Sequence, residues 1–137
     1  MQKSIVILPS LASVHPDSGS LLGFSQVFLN RNSGHYAYAS NEQVEATARR
    51  GPAFAYQVLG YLAAHEFGHL LLDSDAHSSS GIMRRRLEEG EFRDAVPGGL
   101  SFTAQEAQRI RENAAARMRQ QDVVQFLRVP SGNPSRR

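Results

Sequence analysis

The stretch of this chain that does most to decide its fold covers residues 53–72, AFAYQVLGYLAAHEFGHLLL, which hold no proline and only the tolerated glycines at 60 and 68. A run of that length without a breaker reads as one helix about 30 Å long. Phe54, Val58, Leu59, Leu62, Phe67 and Leu70 keep much of it apolar. A helix apolar over most of its surface belongs in the middle of a fold rather than on its rim. Gly51-Pro52 stands before it, and proline suits a first helical position because its missing N–H would be unpaired there anyway. With 137 residues the chain has room for about one domain, so everything else must pack around this helix.

The flanking segments supply a small sheet and a second helix. Residues 5–8 (IVIL) are closed by Pro9-Ser10 and read as a buried interior strand, followed by a polar loop to about residue 20. Residues 21–29 have strand character, Asn30-Arg31-Asn32-Ser33-Gly34 is a turn signal, and residues 35–39 (HYAYA) alternate aromatic and small, so the two runs predict a hairpin. Residues 41–50 are polar with helical character. Residues 73–81 form a compact polar loop, and residues 84–99 are charged and loop-like. Thr103-Ala104-Gln105-Glu106 is a capping box that opens a helix to about residue 120, with residues 123–129 either a short strand or a further helical turn. The predicted class is α+β: a small twisted mixed sheet on a long central helix, plus a C-terminal helix. Residues 1–129 form one domain and 130–137 a disordered tail.

Composition narrows the chemistry. There is no cysteine, which removes disulfide scaffolds, thiolate metal sites and cysteine nucleophiles, so any metal must sit on His and carboxylates. Charge is uneven, with 4 basic and 6 acidic residues up to position 75 and 11 basic and 7 acidic after it. The total of +2 is too weak to call for a nucleic-acid partner, and no apolar run is long enough for a membrane span. The apolar run at residues 5–8 is also too short for a signal peptide, which leaves the compartment open between the cytoplasm and, with a start further upstream, export. Oligomeric state is not legible.

The densest chemical signal is His65-Glu66-Phe67-Gly68-His69 within the long helix. Residues four apart share a helix face, so both imidazoles can reach one ion, while the adjacent Glu66 is placed to activate a water. A chance match to two His and one Glu at this spacing is expected about 0.01 times in such a chain. A catalytic zinc takes a third protein ligand and keeps one position open. Asp73, Asp75 and His77 follow the motif and are the candidates.

At this point the chain resembles the metzincin metallopeptidases, whose extended motif HExxHxxGxxH is followed by a methionine-containing turn beneath the metal. The likeness covers about residues 20–85 and departs from the pattern twice: Leu72 stands at the family's glycine and Asp75 at its third histidine. That glycine position takes a left-handed conformation costing a leucine about 1–2 kcal/mol, so the reversal is expected further along, among Asp73-Ser74-Asp75. A longer loop brings His77 to the metal, with Asp75 the alternative third ligand. Gly81-Ile82-Met83 would be the Met-turn, with Met83 an apolar floor. More narrowly, ILP, LGF, HEFGHLLL, AHS, GIM and FTAQEAQRIR are similar to a small, uncharacterised bacterial family of HExxH proteins regarded as zinc metallopeptidases, which begin with a further strand and helix. The resemblance implies one Zn2+ per chain held by His65, His69 and His77. It further implies Glu66 as general base in peptide-bond hydrolysis, and an edge strand with Leu22, Gly23, Phe24 and Ser25 that pairs with a peptide or protein substrate.

Two other functions are compatible with the motif. One is a cytoplasmic regulatory peptidase with an HELGHLLL-like helix and a distant acidic ligand, here Glu106 or Glu112, which leaves AHSSSGIM unexplained. The other is a non-catalytic zinc-binding module, against which the retained Glu66 argues. His15 and His35 lack a spaced partner and read as ordinary loop or strand histidines. Arg84-Arg85-Arg86 reads as a solvated charge run, with selection of acidic substrate side chains as its functional alternative. Tyr36 and Tyr38 read as packing residues, with assistance to an oxyanion as theirs.

Overall fold

The alternation in HYAYAS decides the middle of the sheet. Side chains of a strand point to opposite faces in turn, and here Ala37 and Ala39 are fully buried while Tyr36 is exposed, so one face is small enough for a helix to lie close. The computed structural model describes residues 3–14, 17, 21–25, 35–51, 54–85 and 100–128. Its strands are β1 (Lys3–Leu8), β2 (Gly23–Ser25) and β3 (His35–Ser40); its helices are α1 (Asn41–Arg50), α2 (Ala55–Leu72) and α3 (Ala104–Arg128), with a short 3-10 turn at Leu11–Ser13. The sheet order is β1-β3-β2. β1 runs parallel to β3 with Ile5 opposite Ala37, and β2 runs antiparallel with Phe24 opposite Tyr38. This is the expected small mixed sheet with helices packed on it. No described helix is long and apolar enough to cross a membrane.

Several expectations need correction. Residues 5–8 were expected as a buried interior strand, yet β1 is at an edge of the described sheet and Ile7 is 51% exposed; β3, with its two alanines against α2, takes the centre instead. The long helix begins at Ala55, so Pro52 is not its first residue. Phe54 holds the extended N-cap conformation (φ −81°, ψ 154°), and its N–H donates to Gln57 Oε1 at 2.7 Å. The last helix passes residue 120 and runs to Arg128, because no glycine or proline interrupts residues 104–128 and the first breaker is Pro130. That excludes a strand at residues 123–128. Strand character at residues 21–29 reduces, among described residues, to Gly23–Ser25. The turn at 30–34, Pro52, His15, the His35 side chain, Arg86 and the tail lie outside the described residues.

Local chemistry explains the helix ends. Ser40 caps α1 by accepting from Gln43 N at 3.3 Å, and Arg49 and Arg50 occupy its last turn, where cations suit the helix dipole. The predicted capping box opens α3: Thr103 N donates to Glu106 Oε2 at 2.8 Å, and Glu106 N to Thr103 Oγ1 at 3.3 Å. Val58 and Leu62 of α2 pack with Ala39 and Val44 in the core, which leaves His65, Glu66 and His69, one to two turns on, equally enclosed.

Candidate metal centre

His65 and His69 face the same way from α2 because they are one turn apart, and each ring is held from behind. His65 Nδ1 donates to Ile82 O at 2.8 Å, and His69 Nδ1 donates to Ser74 O at 2.8 Å. With Nδ1 protonated, a neutral imidazole has a bare lone pair on Nε2. These two nitrogens face one another at 3.1 Å. Two acceptors at that distance repel unless a proton or a cation lies between them. Nitrogens about 2.0 Å from one tetrahedral ion stand about 3.3 Å apart, so the spacing suits a metal. Burial lowers the pKa of His65, with the neighbouring His69 and His77 adding to it against the Ile82 bond; burial likewise lowers that of His77, helped by His69 and Arg85 and opposed by Asp75. Both effects favour the uncharged, ligating form.

His77 joins the pair from the loop after α2. Its ring centroid is 5.2 Å from that of His65 and 4.8 Å from that of His69, and ligand atoms of all three residues lie within 4.8 Å of one another. Asp75 is exposed and outside this group, although close enough to influence His77. Glu106 and Glu112 are elsewhere: Glu106 caps α3 and accepts from the Ser78 hydroxyl, and Glu112 accepts from Gln108 at 3.0 Å. The chain reverses at Asp73, whose left-handed conformation (φ 50°, ψ 46°) lets Leu72 remain helical and buried.

Glu66 is 5% exposed, and burial pushes its carboxyl up to about 7 against a hydrogen bond from Ser25. It reaches Ser25 because β2 runs close over the helix. A Cβ on Gly23 would stand 2.7 Å from Tyr38 O, 2.9 Å from Leu62 Cδ1 and 3.2 Å from Glu66 Cγ, so only glycine allows this approach. Gly23 and Ser25 thus share the face that meets α2. Phe24 points the other way and stacks on Tyr38 at 5.0 Å, which puts Tyr38 and Tyr36 on the sheet face away from Glu66.

After the loop, Met83 is fully buried against Gly68 of α2, where any larger residue would strike its sulfur and the Phe102 ring. Gly81 has φ +72° and faces Ser101 O, which accepts from Ile82 N at 3.1 Å; Ser78 N closes the loop onto Met83 O at 2.9 Å. Tyr61 is a site residue that the sequence reading passed over. Its hydroxyl is 3.1 Å from Ile82 O, 3.3 Å from Arg84 O and 3.3 Å from His65 Nδ1, tying the turn to the first histidine. Its position four residues before His65, on the same helix face, was the available signal. Arg85 is exposed beside His77. An apolar cavity of about 280 Å3, lined in part by Tyr61, Ala64 and Ile82, opens next to this network. The three histidines are a group able to hold a metal ion. No family model, curated protein or solved structure matches the chain.

Proposed function

We propose that this protein is a zinc-dependent metallopeptidase, with His65, His69 and His77 as ligands and Glu66 as general base. The observation that carries it is the pair of bare Nε2 atoms 3.1 Å apart, each backed by a carbonyl on Nδ1, with a third imidazole beside them and an enclosed carboxyl as neighbour. A ligating histidine whose other nitrogen is fixed by a carbonyl is the usual outer arrangement of a zinc site. The ion, when bound, supplies positive charge that acidifies water and polarises the scissile carbonyl. Glu66, poised near neutrality by burial, takes the proton of the attacking water; as the C–N bond breaks it returns that proton to the leaving amine.

The order of elements supports a metzincin-like form of this site: β2 packed on α2, His77 on the loop after it, and Met83 further along, buried against Gly68. Ser40 N donates to Leu22 O at 2.8 Å, and antiparallel alternation then turns the backbone groups of Gly23 and Ser25 away from β3. An extended substrate pairs with that edge and so passes over Glu66. The test is incubation of zinc-loaded protein with a proteome-derived peptide library, reading new termini by mass spectrometry. New termini from wild type and none from Glu66→Gln, with zinc content equal in both, are expected. Zinc-loaded wild type that cuts no peptide would overturn the peptidase assignment.

A further inference from the structure

His65 and His69 ride on a buried helix, whereas His77 is an exposed residue on a polar loop. What fixes that loop lies on α3. Its start is Asp73, whose carboxylate Oδ2 accepts from Arg117 Nη2 at 2.6 Å, with Lys3 Nζ 3.6 Å from the other oxygen. The same guanidinium reaches Leu70 O at 3.2 Å and Leu71 O at 3.4 Å, and Asn113, one turn before it, donates to Leu71 O at 2.9 Å. Two side chains of α3 thereby satisfy carbonyls that the end of α2 leaves open and grip the residue that reverses the chain. The far end is Ser78, directly after His77, whose hydroxyl donates to Glu106 Oε1 while Glu106 Oε2 stays in the capping box. Ser74, next to Asp73, supplies the carbonyl that orients His69.

We infer that α3 is the positioning element of the metal centre: Arg117 on Asp73 and Glu106 on Ser78 hold both ends of the loop and set where the third imidazole stands. These are positioning residues, touching neither metal nor substrate. The inference rests on the metal reading above and adds to it a role for four residues outside the motif. In a site of this kind, loss of an outer partner weakens metal binding by about 10–100-fold.

The test is the zinc dissociation constant, by competition with a chromophoric chelator, for wild type, Asp73→Gly, Ser78→Ala and the double variant. Glycine keeps the left-handed reversal and removes only the carboxylate; Ser78→Ala leaves the capping box whole. Each single variant is expected to bind about 10-fold more weakly and the double about 100-fold, with a changed visible spectrum of the cobalt-substituted protein. Ser78→Thr, which keeps the hydroxyl, is expected to restore wild-type affinity, and Ser78→Ala is expected to have no further effect once His77→Ala is present. Variants that melt earlier yet bind zinc within twofold of wild type would overturn the inference, as would a Ser78→Ala effect that persists in full without His77. A wild type that binds no zinc would instead overturn the metal reading itself and take this inference with it.

Discussion

At the scale of single residues, the site is built from groups held in disfavoured states. Glu66 is enclosed with one hydrogen bond from Ser25, and its carboxyl is raised from 4.5 to about 7. A raised acid binds its proton more tightly when folded, so the metal-free fold loses stability as pH climbs from about 4.5 to about 7 and carries the full cost above that. At pH 8, Glu66→Gln is expected to stabilise the chelator-treated protein by about 3 kcal/mol, and at pH 4 by almost nothing, measured by urea unfolding. An equal gain at both values would mean that the carboxyl does not titrate as its burial implies. His65 and His69 were legible from their spacing alone. The Nδ1 partners were not, because Ile82 O and Ser74 O are backbone groups whose placement depends on two turns of the chain.

At the scale of elements, α2 offers the same substitution in two settings. A Cβ on Gly60 meets nothing within 4 Å, so Gly60→Ala adds helix propensity and is expected to stabilise by up to about 1 kcal/mol. A Cβ on Gly68 strikes Met83 Sδ and comes within 2.8 Å of Phe102 Cε1, so Gly68→Ala is expected to destabilise by about 1–3 kcal/mol and, by displacing Met83, to disturb the neighbouring Ile82 carbonyl that holds His65. Thermal melts of both variants decide the matter: like signs would show that Met83 does not press on the helix there. Gly81→Ala, at φ +72° and with its Cβ 2.5 Å from Ser101 O, is expected to cost at least about 1–2 kcal/mol in the same assay. The helix and the capping box were legible because each depends on neighbours in sequence. The start of α2 was misplaced by proline statistics that the Gln57 side chain overrode, and the position of β1 was misjudged because an apolar run looks alike at a sheet centre and at an edge.

At the scale of the molecule, the site is where three parts of the chain converge: the strand β2 over Glu66, the helix α2 with its histidine pair, and the loop from Asp73 to Met83 stitched to residues 101–106 and to α3. The motif disclosed the middle of this assembly. The α3 contacts were hidden, since Ser78 and Glu106 are 28 residues apart and Asp73 and Arg117 are 44 apart, with no local pattern to link them. The shift of the reversal from Leu72 to Asp73 was foreseeable from the cost of a left-handed leucine, and it is what lets a histidine eight residues past His69 come back to the pair. Everything proposed for the function therefore turns on whether that histidine binds the ion. The decisive measurement is zinc content by elemental analysis of wild type, His77→Ala and Asp75→Ala after dialysis against metal-free buffer. One zinc per chain in wild type and Asp75→Ala, with loss in His77→Ala, is expected; zinc retained in His77→Ala and lost in Asp75→Ala, or absent from wild type even after zinc is added back, would contradict it.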